Sequence, residues 1–122
     1  MQTEIKLLDT YSAGAAVGLF NNNPFFTAVT VPANTYKGQT QDIASFQGGA
    51  LLVANTKVPD EVVHQILTSM YNQEGLEYLV SVHNSAKSMA TETGLKGVVT
   101  PIHPGAVKFW QEKGLTIPDM AE

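Results

Sequence analysis

Residues 43–71 read IASFQGGALLVANTKVPDEVVHQILTSMY, and the chain changes character inside this stretch. Ile43 to Val53 is an extended run rich in apolar residues, with Gly48-Gly49 in its middle. Paired glycines inside a strand mark a bend, a bulge or a close backbone approach. That point reads as a hinge. After Lys57, Pro59-Asp60-Glu61 starts a helix, with Pro in the first turn and two acids near the positive end of the dipole. Val62, Val63, Ile66, Leu67, Met70 and Tyr71 then recur at three- and four-residue spacing, which predicts an amphipathic helix.

Toward the N-terminus, TEIKLLD (3–9) reads as a short strand. Ser12 offers an N-cap for a weak helix from Ala13 to Phe20. Its Gly14 and Gly18 each cost about 1 kcal/mol against Ala. Asn21-Asn22-Asn23-Pro24 ends it, because Asn tolerates left-handed backbone and the residue before Pro avoids the helical region. FFTAVTV (25–31) is a strand by its aromatic and β-branched content. Pro32 to Gly38 is an exposed, turn-rich loop.

Toward the C-terminus, Asn72 to Gly75 breaks the strong helix. Leu76, Leu79, Val80 and His83 mark a second, and Ala86 to Thr93 a third, ended by Gly94. Gly97 to Pro101 is a connector. His103-Pro104-Gly105-Ala106 opens a last helix with Val107, Phe109 and Trp110 on its core face. Lys113 sits at its negative end and Gly114 stops it. Ile117-Pro118-Asp119 is a tail. Strands come first and helices second, which is not the order of repeated βαβ units. The first half is too small to complete a sheet with both faces covered.

Composition narrows the function classes. At 122 residues the chain makes one compact unit. With 43% apolar residues it is not a disordered segment. The net charge is −4, and all seven basic residues are Lys. An acidic chain without Arg is a poor nucleic-acid or anionic-membrane binder, and it lacks the planar fork that best holds carboxylate or phosphate. With no Cys there is no disulfide, thiolate nucleophile or Cys-based zinc site. No apolar run reaches the ~18–20 residues of a membrane span. MQTEIKLLDTYS has no signal-peptide pattern, so the chain reads as either not exported or not the whole gene product.

Catalytic constellations are missing. His64, His83 and His103 lie far apart in sequence, with no metal-ligand spacing, and read as architectural. No G-x-S-x-G elbow is present, and no Ser has a recognisable base partner. Asp60-Glu61 reads as a helix-start pair, and Glu74 and Glu77 as helix surface. Gly48-Gly49 fits neither phosphate-loop pattern. The G-x-x-x-G from Gly14 to Gly18 sits beside an Asn-rich stretch and reads as close packing. Two loops stand out. Val31-Pro32-Ala33-Asn34-Thr35-Tyr36 ends a strand, where open α/β sheets place ligands, although an ordinary surface turn reads the same way. Thr100 to Ala106 carries two prolines around Ile-His and reads chiefly as architecture.

Those two loops, in that order and at that spacing, carry a resemblance. Asn23-Pro24-Phe25-Phe26, Thr30 to Gly38 (TVPANTYKG), the pair Ala50–Asn55 and Glu61–Met70, and Pro101-Ile102-His103-Pro104-Gly105-Ala106 with Phe109, Glu112 and Gly114 follow one another. From about Ile5 to Pro118 the chain resembles the C-terminal portion of a TAXI-family solute receptor, the extracytoplasmic binding component of a TRAP-type transporter. The P-I-H-P-G-A ending is the most specific match. Asn34 replaces a frequent Gly, His64 a usual Tyr, and Trp110 a Tyr-like residue.

The resemblance implies an α/β fold, the C-terminal part of a two-lobed type II periplasmic-binding-protein-like fold. Residues 1–42 would be part of the second lobe, 43–56 the crossover or hinge strand, and 57–122 C-terminal helices packing on the first lobe. It implies capture of a small organic acid or amino acid, such as glutamate, by lobe closure in the periplasm. TRAP membrane permease subunits would be partners, with no cofactor, metal, nucleic acid or enzymatic activity. With no Arg and surface Lys, the groups holding an anionic solute are expected in a missing N-terminal lobe. Thr35 and Tyr36 are the ligand-binding residues expected here. Val29, Val31, Leu51, Val53, Phe109 and Trp110 are expected to stay partly uncovered, so self-association is a further expectation. Two other classes stay open: a stand-alone interaction domain derived from such a receptor, and an enzyme, for which no nucleophile, metal or acid–base set speaks.

Overall fold

A computed structural model describes residues 6–119. The chain forms two compact units. One takes in the described residues up to Ala50 with Gly97–Val99, and the other takes Leu51–Lys96 and the residues from Thr100 on. The architecture is mixed α/β, compatible with a fragment of a periplasmic-binding-protein-like fold.

In the first unit, helix α1 spans Thr10–Ala16. Its cap is Asp9, not Ser12. The Asp9 carboxylate accepts the Ser12 N–H and the Ser12 hydroxyl, each at 2.7 Å. Two donors hold that charge, so the Asp9 carboxyl lies below its ordinary value. Gly18 adopts φ 70°, a left-handed conformation that splits the expected helix and leaves Leu19–Asn22 as a single turn, α2. Of the strand expected over 3–9, residues 3–5 lie outside the described residues and Lys6–Asp9 form no strand.

Strand β1 (Phe26–Val31) pairs antiparallel with β2 (Ile43–Gly48), from Phe26 opposite Gly48 to Val31 opposite Ile43. The extended run stops at Gly48 and does not reach Val53. Leu51, Leu52 and Val53 are exposed, with no strand beside them among the described residues. Aromatic rings hold this unit together. Tyr11 stacks on Phe20, and Phe46 takes Phe20 and Phe26 edge-on at 5.6 and 4.9 Å between centroids.

The second unit has a conventional core. Helix α3 (Asp60–Met70) packs on α5 (Pro104–Glu112) through Val63, Leu67, Phe109 and Trp110. Val58, Tyr71, Leu95, Ala106, Leu115 and Ile117 surround them. Phe109 and Trp110 were expected to stay partly uncovered; they are 1% and 5% exposed, because α3 and the C-terminal tail close over them. Gly105 permits the contact, since a Cβ there would run into the Asp60 backbone carbonyl. Helix α4 spans Gln73–Val82. Asn72 does not belong to a break but caps α4, accepting the Gly75 N–H at 2.7 Å. The helix expected over Ala86–Thr93 is two 3₁₀ turns, Asn84–Ser88 and Thr91–Thr93.

Candidate functional site

The loop from Pro32 to Asp42 joins β1 to β2, and its order comes from within. Gln39 is the buried polar residue of the described chain, 6% exposed. Its side-chain amide nitrogen donates to the carbonyls of Val31, Pro32 and Gln41 at 3.1, 2.9 and 2.9 Å. Its Oε1 accepts the Tyr36 N–H at 3.3 Å. Its backbone carbonyl accepts the Asn34 N–H at 2.9 Å, and its own N–H donates to the Tyr36 carbonyl at 3.1 Å. At the base of the loop Asp42 Oδ1 accepts the Ala33 N–H at 2.8 Å. Asn34 turns the chain at φ 64°.

This bonding decides what the loop can offer a ligand. The N–H groups of Ala33, Asn34, Thr35 and Tyr36 are all consumed inside it, Thr35 donating to the Pro32 carbonyl. It therefore presents no cradle of free backbone N–H groups from these residues for an anion. The Thr35 hydroxyl donates to Pro32 O at 2.7 Å, which leaves its oxygen as an acceptor. The Tyr36 ring is 41% exposed. The structure thus sets Thr35 and Tyr36 side by side on an exposed, internally braced turn.

Two shallow hollows, of about 230 and 290 Å³, lie along the hairpin, and neither Thr35 nor Tyr36 lines them. The first is bounded by Lys6, Leu7, Leu8, Thr10, Val31 and Ile43, the second by Tyr11, Ala28, Val29, Thr30, Ala44 and Ser45. Both fall below the ~300–1,000 Å³ of enclosing ligand sites. All seven Lys are exposed, so no buried cation waits for a carboxylate.

The other loop is architecture. His103 Nδ1 accepts the Gly105 N–H at 3.2 Å, capping α5, and its Nε2 donates to Val58 O at 3.1 Å. Nδ1 therefore carries no proton, and Asp60, 3.7 Å away, is a neighbour rather than an ion-pair partner. His83 Nδ1 contacts the Ser85 N–H and hydroxyl. His64 Nε2 meets Glu112 Oε2 at 2.8 Å. That hydrogen bond is the largest cause holding the Glu112 carboxyl below its ordinary value, with His64, Lys108 and Lys113 charge adding to it. Burial raises the Tyr71 hydroxyl above the usual phenol value. Among the described residues no group of three or more His, Asp or Glu is placed to hold a metal, and no helix is long and apolar enough to cross a membrane.

Sequence reasoning named Thr35 and Tyr36 and did not name Gln39 or Asp42, which brace them. No local signal marked Gln39, because its amide is satisfied by the loop's own carbonyls only once the loop has folded.

Residues 2–114 match the model of the NMT1-like family, and the chain belongs to that family. It is a periplasmic binding-protein family related to solute receptors, whose members are binding proteins rather than enzymes.

Proposed function

We propose that this member of the NMT1-like family is part of the extracytoplasmic solute-binding component of a TRAP-type transporter, of the TAXI kind. It would work in the periplasm, close two lobes around a small organic acid or amino acid such as glutamate, and deliver it to TRAP permease subunits. In this reading residues 1–42 belong to the second lobe, 43–56 cross between lobes, and 57–122 pack on the first. Lobe closure draws its energy from the solute's greater affinity for the closed form.

The loop Pro32–Asp42 carries the reading. A turn braced by a buried Gln and an Asp presents one aromatic ring and one hydroxyl acceptor outward. Rigid presentation lowers the ordering cost of binding. The absence of Arg and the exposure of every Lys support a reading in which the main anion-holding groups lie on the other lobe. The half-covered hairpin adds support, since two strands alone are marginal in water and want neighbours.

The test is a thermal-shift panel of amino acids and dicarboxylates on the full polypeptide that carries these residues. A compound at 100 times its Kd adds about 2.7 kcal/mol to stability. At least one compound should raise Tm, and Thr35→Ala and Tyr36→Ala should shrink the shift without lowering the unliganded Tm. No shift with any compound, or an undiminished shift in both variants, overturns the proposal.

A further inference from the structure

We infer that Gln39 is the positioning residue of this loop: its buried carboxamide fixes where Thr35 and Tyr36 stand, without touching the solute itself. The inference deepens the solute-binding reading and rests on it.

Three features single Gln39 out. It is 6% exposed in a unit whose other described side chains are at least partly open, so the amide is buried for a reason other than core packing. Its amide nitrogen faces three carbonyls, Val31 O, Pro32 O and Gln41 O, drawing together both stems of the loop. Its Oε1 accepts the N–H of Tyr36, the residue whose ring is exposed. One side chain thus ties the end of β1, the segment entering β2 and the backbone of Tyr36 to a single point. The Thr35 hydroxyl bonds the same Pro32 carbonyl that Gln39 holds, so its aim depends on Gln39 as well. A group with donors on one end and an acceptor on the other is required. Gln has both, and an apolar residue of the same length has neither.

The charge-changing isostere separates positioning from space filling. In Gln39→Glu an ionised carboxylate would face three carbonyl oxygens and repel them, while the protonated acid recovers one donor. The proposal is tested by amide hydrogen exchange, read as protection factors at Asn34 and Tyr36, on the full polypeptide. In Gln39→Met protection at both amides should fall by about tenfold or more, while the amides of α3 and α5 keep theirs. In Gln39→Glu protection should be low at neutral pH and recover as the pH falls through the carboxyl range; Gln39→Met should show no such recovery. Wild-type protection in Gln39→Met, or a Gln39→Glu profile that does not respond to pH, overturns the inference. The same samples are titrated with L-glutamate and with any other compound that shifts the wild-type Tm. Weaker binding in Gln39→Met supports the link from the brace to the solute. Lost protection with unchanged binding sustains Gln39 as the brace of the loop and refutes only the ligand role of Thr35 and Tyr36.

Discussion

Asn34 sits at φ 64°, in the left-handed region that Gly and Asn visit at little cost. That conformation explains why Asn can stand where similar loops often have Gly: the turn selects for backbone, not side chain. The turn was legible from Pro32, Asn34 and Gly38, whereas the ligand role of Thr35 and Tyr36 rests on the resemblance alone. Gln39 was not, because nothing local marks a polar side chain that folds back under its own loop. His64 shows the same blindness at longer range. Its partner Glu112 lies 48 residues away, and only the packing of α3 on α5 joins them. Because the Glu112 carboxyl is held low in the folded chain, its contribution is present above the ordinary carboxyl value and is lost as pH falls through the lower folded value. His64→Ala should therefore flatten the acid limb of a Tm-against-pH curve, and an unchanged acid limb contradicts the pairing. Phe109, 1% exposed and edge-on to Trp110, anchors the same contact. Phe109→Ala should cost about 3–5 kcal/mol in denaturant unfolding.

Helices α3 and α5 were legible because cap, spacing and stop agree. Pro59 precedes α3, His103 caps α5, and Gly114 follows its C-cap Lys113. The third expected helix failed through its own hydroxyls. Ser88 Oγ donates to Ser85 O and Thr93 Oγ1 to Ala90 O, so local bonds compete with the helical ladder and 3₁₀ turns result. The α1 boundary moved because Asp9 outcompetes Ser12 as the cap, and its two bonds both end on Ser12. Contact between α3 and α5 depends on backbone approach at Gly105. Gly105→Ala pushes a methyl group into the Asp60 carbonyl and should destabilise by about 1–3 kcal/mol, seen as a lower denaturant midpoint at unchanged m. A wild-type midpoint would show that the two helices can part without cost.

Burial is uneven across the molecule. The buried apolar residues, Val63, Leu67, Ala86, Phe109 and Trp110, all belong to the second unit. In the first unit the hairpin has an unpaired edge on each strand among the described residues, and Val17 is 77% exposed. Unpaired edges invite further strands. On α3 the apolar stripe is wider than the α5 contact, so Val62 and Ile66 remain 43% and 44% exposed. Such surfaces are compatible with a fragment of a periplasmic-binding-protein-like fold. The mixed α/β class was legible from the switch at Pro59, but the division into two units was not. The chain returns to the first unit at Gly97–Val99, through a connector with no distinctive pattern. Small-angle X-ray scattering of the full polypeptide, with and without a compound that shifts its Tm, tests the two-lobed receptor most directly. The radius of gyration should fall at saturation, and should not fall in Tyr36→Ala at the same concentration. A radius unchanged by saturating compound contradicts lobe closure and the receptor reading with it.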